Sequence, residues 1–333
     1  MHDNAAVKRA LIFGVSGQDG AYLSRLLVDR GYEVHGASRD AESQGFANLK
    51  KLGVRQSVTT HSASPRDFRE LLQLIGGILP DEIYNLAGQS SVALSFSQPV
   101  ETMDSIAQAS LVILEVIRYL NIPVRFYNSS SSECFGETPH GEASNEDTPF
   151  FPRSPYATAK AAAHWTTANY REAYGIFACS GILFNHESAL RSKRFVTKKI
   201  FSAAAEIAAG SPRRLSLGRL DIARDWGYAA EYVEAMWRML QQERAGDYVI
   251  ATGESHTLEE LTAAAFGEFG LDWHDHVDVD RSLFRASDIA YSRGDAAKSH
   301  RVLGWEAATG FQELVRLLAA AARVESPTDR GIR

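Results

Sequence analysis

The chain has 333 residues, of which 45% are hydrophobic and 23% charged, a balance that supports a substantial buried core and excludes a disordered chain. A formal net charge of -6 argues against nucleic acid or an anionic membrane surface as the main partner, so an anionic ligand needs a local basic pocket. The first eight residues lack an apolar signal core and no run reaches membrane-spanning length. With only Cys134 and Cys179, both inside apolar stretches, the expectation is a cytoplasmic protein with free, buried thiols.

The first predicted strand, 11–15, runs into Gly14-Val15-Ser16-Gly17-Gln18-Asp19-Gly20, and a helix over 21–29 follows. Glycines three residues apart permit a tight turn, close backbone approach to a pyrophosphate, and close packing of helix on strand. Gly14, Ser16, Gly17, Gln18, Asp19 and Gly20 are therefore candidate dinucleotide contacts. A second strand, 33–37, ends at Ser38-Arg39-Asp40. An acid at the first of these positions would bind ribose hydroxyls and repel a 2′-phosphate. Ser38 followed by the Arg39 guanidinium instead favours NADP over NAD.

Strands over 57–61 and 82–86 and helices over 66–74 and 105–120 come next. The fifth strand, 125–129, leads into Ser129-Ser130-Ser131-Ser132-Glu133, whose side chains should face a crevice beyond the strand ends. The helix over 156–174 starts with Tyr156-Ala157-Thr158-Ala159-Lys160, placing tyrosine and lysine on one face. A nearby ammonium and a cationic nicotinamide would lower the phenol's pKa, making Tyr156 a base for a sugar hydroxyl. Glu133 is unusual beside such a set. An epimerase or reductase needs no second base, whereas removal of a proton next to a new ketone does.

After a strand over 178–184 the pattern changes: a helix over 195–209 closed by Gly210, Ser211 and Pro212, a strand at 247–250, and helices over 257–269 and 310–322. Residues 272–285 read as an irregular binding segment, and 326–333 as a flexible tail. Arg194, Lys198, Lys199, Arg224, Arg281 and Arg285 offer the basic pocket that an anion requires, and His186 reads as a packing or capping residue. Strands alternating with helices predict an α/β, Rossmann-type doubly wound parallel sheet. A smaller C-terminal α/β substrate lobe should accompany it. Residues 1–184 with a return segment near 226–254 would form the cofactor lobe, and 185–225 with 255–325 the substrate lobe.

The chain resembles the GDP-mannose 4,6-dehydratases, which are extended short-chain dehydrogenases, from about residue 8 to about 322. The glycine turn and Pro80-Asp81-Glu82-Ile83-Tyr84-Asn85-Leu86-Ala87 carry part of the likeness. Ser131 with Glu133 and Arg153-Ser154-Pro155-Tyr156 carry more of it. The most specific parts are Gly181-Ile182-Leu183-Phe184-Asn185-His186-Glu187-Ser188, Arg194-Phe195-Val196-Thr197-Lys198-Lys199-Ile200 and Arg224-Asp225-Trp226-Gly227.

The resemblance implies that Tyr156 and Lys160 start oxidation of sugar carbon 4 by NADP, with Ser131 hydrogen-bonded to the carbon 4 oxygen. Glu133 would take the carbon 5 proton, water would leave from carbon 6 with Glu133 or Tyr156 supplying a proton, and the hydride would return to carbon 6. It adds Leu86 and Ala87 to the cofactor contacts. Ser90, Asn185, Lys199, Arg224, Arg281 and Arg285 become contacts of a GDP-sugar, and the helices over 105–120 and 156–174 the surfaces of a homodimer or homotetramer. The chain departs from the family at Asp40, at a short 41–49 stretch, at Ser64-Pro65, at Arg219 and at Ala286. The alternatives are a GDP-heptose 4,6-dehydratase, a nucleotide-sugar reductase or epimerase, and a non-catalytic NADP-binding regulator.

Overall fold

The structure is a computed structural model that describes residues 7–285 and 287–325; the expected tail at 326–333 and Ala286 lie outside the described residues. The first half is built from β1 (Arg9–Phe13), α1 (Gln18–Asp29), β2 (Glu33–Ser38), α2 (Ala47–Lys51), β3 (Val58–Ser62), α3 (Phe68–Ile78) and β4 (Glu82–Asn85). Next come α4 (Val92–Ser97) and α5 (Pro99–Met103), which passes through a π turn at Asp104–Gln108 into α6 (Ala109–Leu120). β5 (Arg125–Ser131), α7 (Pro155–Tyr174) and β6 (Ala178–Leu183) complete this half.

These strands, joined by a later one, form a seven-stranded sheet whose neighbouring strands all pair in parallel. The largely apolar runs of β1 and β6 follow from covering both faces. Successive residues of β1 feed opposite cores, Ala10 and Ile12 on one face, Leu11 and Phe13 on the other. α1 lies over the first face, while α3, α6 and Tyr170 of α7 lie over the second. β2 and β3 extend from β1 in one direction, β4 to β6 in the other. The crevice beyond the carboxyl ends of β1 and β4 is therefore the topological switch point, where ligands of open parallel sheets bind.

The second half holds β7 (Asn185–Glu187), α8 (Val196–Ala208), β8 (Leu215–Leu217), β9 (Ala223–Arg224), β10 (Trp226–Tyr228), α9 (Ala229–Leu240) and β11 (Asp247–Ile250). β12 (His256–Thr257), α10 (Leu258–Gly267), β13 (Val277–Val279) and α11 (Phe311–Glu325) follow. β11 adds to the edge of the sheet beside β6, and β7 pairs with β10. α8, α10 and α11 enclose a separate core around Phe201, Phe266 and Leu314.

α9 is absent from the expected elements. Its Tyr232, Val233, Met236, Met239 and Leu240 are spaced for one helical face and pack against α1, each burial being worth about 1.5–3 kcal/mol. Residues 272–285, expected to be irregular, contain β13, which pairs in parallel with β8. β1 begins and ends two residues earlier than expected because Gly14 leaves the extended region at φ +84°. α3 starts where Asp67 caps it, its side chain accepting from Glu70 N, and it outlasts the expected helix to stop at left-handed Leu79. Cys134 and Cys179 are buried free thiols, and no helix among the described residues is long and apolar enough to cross a membrane.

Candidate active site

The glycine turn is tightly fitted. Gly17 N donates to Gly14 O at 3.0 Å, and α1 then opens on Gly17 with no side-chain cap. Its first amides are thus left for an external acceptor, and the helix dipole favours an anion there. A Cβ on Gly14 would stand 2.7 Å from Leu86 O, and one on Gly20 2.4 Å from Gly14 O. No larger residue fits either place, and Leu86 and Ala87, at the exit of β4, lie against Gly14. This cradle fits the pyrophosphate of a nicotinamide dinucleotide.

Gln18 and Asp19 face inward rather than toward solvent. Asp19 pairs with His186 Nε2 at 2.9 Å, Gln18 donates to His186 O at 3.2 Å, and Ser188 Oγ donates to Gln18 Oε1 at 2.7 Å. Burial pushes the Asp19 carboxyl up, but His186 and then Arg191 outweigh it and bring it down to about 2. Burial lowers His186, and the Asp19 carboxylate more than reverses that. The packing expected of His186 is present too, since it stacks on Tyr232 with ring centres 4.7 Å apart. The tie to Asp19 escaped the sequence because the partners are 167 positions apart.

The catalytic candidates converge from β5 and α7. β5 ends at Ser131, whose Oγ accepts from Glu133 N at 3.3 Å, turning Glu133 out of the strand line. Ser154 caps α7 by accepting from Ala157 N at 3.1 Å, and Pro155 sets the first helical position. Tyr156 is thereby fixed at the mouth of the helix, with buried Lys160 one turn below it.

Lys160 Nζ donates to Ser129 O at 2.6 Å and lies 5.9 Å from the Tyr156 ring centre. Burial lowers Lys160 to about 8. Burial also raises the Tyr156 phenol, only partly opposed by its hydrogen bond with Ser131, while Cys134 and Glu133 raise it further. The expected lowering of the phenol calls on the nicotinamide's positive charge as well as on Lys160, whose ammonium donates here to the Ser129 carbonyl.

On the substrate side, Arg224 is buried and donates to Ala223 O and Ile289 O at 2.9 and 2.8 Å. Burial lowers its pKa, with the Glu133 carboxylate opposing that and the Arg285 charge adding to it. Arg285 itself is held 3.4 Å from Asp288. Asn185 opens β7 opposite Trp226 of β10, two residues on from Arg224. The rest of the basic set is dispersed. Lys198 is buried and ion-paired with Glu325 at 2.7 Å, whereas Ser90, Arg194, Lys199 and Arg281 are exposed.

Two residues near the site had no functional reading from sequence. Arg191 stacks 3.8 Å over Phe195 with its Nε 3.1 Å from Glu187, and its charge acts on Asp19, His186 and Tyr156. Buried Asp225 accepts from Thr252 N, Thr252 Oγ1, Gly253 N and Gly294 N at 2.9, 2.7, 2.9 and 3.3 Å. It pins the segment carrying Arg224 to the ends of two others. A cleft of about 380 Å³ at the opposite end of β1 and β2 is lined by Arg9, Glu33, His35 and His61 and by none of the catalytic candidates.

A switch-point crevice, an uncapped glycine turn and a Ser-Tyr-Lys set define an extended short-chain dehydrogenase/reductase. The likeness to solved structures agrees. A UDP-glucose 4-epimerase of Thermus thermophilus in complex with NAD superposes with a TM-score of 0.84 at 26% identity, covering 95% of this chain and 99% of that one. RMD from Pseudomonas aeruginosa complexed with NADPH gives 0.79 at 21% identity, covering 96% and 99%.

The family profile described as GDP-mannose 4,6 dehydratase matches residues 11–318, and the chain belongs to that family. GDP-mannose 4,6 dehydratase 1 of Arabidopsis thaliana is 46% identical, covering 93% of this chain and 88% of the relative. The GDP-mannose 4,6 dehydratase of Homo sapiens is 39% identical, covering 94% and 90%.

Proposed function

We propose that the chain is an NADP-dependent GDP-mannose 4,6-dehydratase that yields GDP-4-keto-6-deoxymannose. Tyr156 removes the carbon 4 hydroxyl proton while Ser131 holds that oxygen, and Lys160 positions the helix start through Ser129. Glu133 takes the carbon 5 proton, made acidic by the ketone, and a proton from Glu133 or Tyr156 leaves with the carbon 6 hydroxyl as water. Arg224 and Arg285 neutralise the diphosphate. A bound nicotinamide would accept hydride from carbon 4 and return it at carbon 6, and the proton still held by Glu133 or Tyr156 would go back to carbon 5.

The observation that carries this reading is Glu133, a carboxylate held by Ser131 at the exit of β5, in the turn that packs against α7 and its Tyr156. A 4-epimerase has no use for a second base there. Ser38 and Arg39 at the exit of β2 support NADP as the resident dinucleotide. The exposed Tyr119 of α6 and Trp165 and Tyr174 of α7 support pairing of two copies through these helices, and two buried thiols fit the cytoplasm. A two-lobe division, with the sheet lobe holding cofactor and the α8–α10–α11 lobe holding the GDP-sugar, is supported by the separation of the α8–α10–α11 core from the cores on the two sheet faces.

Mass spectrometry of GDP-mannose incubated with the protein and catalytic NADP tests the reading. The expected product has lost one water with no net NADPH formed. An unchanged substrate in the presence of bound NADP overturns it, and dehydration of a GDP-heptose under the same conditions would transfer the activity to that substrate.

A further inference from the structure

β2 and β3 pair to their last residues, with Ser38 opposite Ser62, and Ala63 N donates to Ser38 O at 2.9 Å. Their exits therefore lie side by side, where the adenosine ribose of a dinucleotide approaches. The first exit carries Arg39 and Asp40. Asp40 offers no cation and is turned onto Ser43, accepting from its amide and hydroxyl. The second exit carries Arg66 on a firm turn. Asp67 N donates to Ser64 O at 3.0 Å, Ser64 N donates to the Glu70 carboxylate at 2.7 Å, and Asp67 caps α3.

The two arginines share one carboxylate. Arg66 Nη1 is 3.2 Å from Glu101 Oε2, and Arg39 Nη1 is 3.6 Å from Glu101 Oε1; Asp104 lies 3.6 Å from Arg66. One anion on α5 is thus bridged by guanidiniums from two strand exits. All three side chains are more than a third exposed, so these ion pairs are weak and exchangeable. A phosphate with three acceptor oxygens and nearly two charges binds guanidinium more strongly than one carboxylate does.

We propose that Arg66, acting with Arg39, is the clamp for the 2′-phosphate of NADP, and that Glu101 is the internal anion this phosphate displaces. Glu101 thereby limits how strongly NADP is preferred over NAD. The inference rests on the NADP reading above and deepens it by naming the second cation of the site.

Fluorescence titration of the full chain with NADPH and NADH, and competition by 2′,5′-ADP and 5′-AMP, separates the two ideas. The expected wild type binds NADPH and 2′,5′-ADP more tightly than NADH and 5′-AMP. Arg66→Ala should weaken NADPH and 2′,5′-ADP roughly tenfold, the worth of one charge-assisted hydrogen bond, and leave NADH and 5′-AMP unchanged. Glu101→Gln should tighten NADPH and leave NADH unchanged. No preference in the wild type overturns the NADP reading itself. A wild-type preference that survives Arg66→Ala, or an equal loss for both nucleotides, overturns the clamp, and a Glu101→Gln variant that fails to tighten NADPH overturns the displaced anion.

Discussion

Replacing Asp19 by asparagine tests whether the ion pair behind the glycine turn holds the fold together as its geometry indicates. The carboxyl falls from its ordinary 3.8 to about 2, and its side chain is only 21% exposed. A fall of that size corresponds to about 2 kcal/mol of folding free energy, at roughly 1.4 kcal/mol per pKa unit. A depressed carboxyl stabilises the fold above its unfolded pKa, and the benefit is lost as pH falls through the folded one. His186, whose pKa is raised, contributes in the opposite sense, fully below its unfolded value and decreasingly as pH rises past the folded one. The pair therefore peaks between about pH 4 and 6.5.

Urea unfolding of wild type and Asp19→Asn across that range should show the variant about 2 kcal/mol less stable near pH 5–6. The gap should close as pH drops toward 2, where the wild-type carboxyl takes up its proton. A variant as stable as wild type at pH 6, or a gap that does not change with pH, would refute the reasoning.

Glu133→Gln should keep nucleotide and GDP-sugar binding, measured by calorimetry, while the dehydrated product disappears from the mass spectrum; full turnover would sink its role as carbon 5 base. Gly14→Ala forces a Cβ to 2.7 Å from Leu86 O at a φ of +84°. Dinucleotide titration should show binding lost or greatly weakened, together with a lower melting temperature. Asp225→Ala strands the three backbone amides that converge on this carboxylate. At 1–3 kcal/mol for each donor left unpaired, even partial rehydration leaves a cost of about 3 kcal/mol or more in denaturant unfolding.

Much of the site could be read along the chain because its parts are local. The glycine turn, the Ser131/Glu133 pair and Tyr156 with Lys160 each fall within seven residues, and strand, turn and helix signals surround them. Asp225 lay inside a recognised motif, yet its partners Thr252, Gly253 and Gly294 are 27 to 69 positions away. Arg191 was overlooked beside Arg194 because spacing does not say which arginine of a loop turns inward. α9 was missed although its periodicity is helical, since its apolar face acquires meaning only against α1.

The order and type of most elements, the glycine turn and the candidate catalytic residues were determined by the sequence itself, through backbone preferences and side-chain periods that act over a few residues. Tertiary structure decided how charges combine. It spent the Lys160 ammonium on Ser129, buried Lys198 against Glu325 while leaving Lys199 exposed, and set Arg39 and Arg66 about one carboxylate. Such pairings depend on which strand exits become neighbours in the sheet, and burial then sets the strength of each charge, so neither can be read from spacing along the chain.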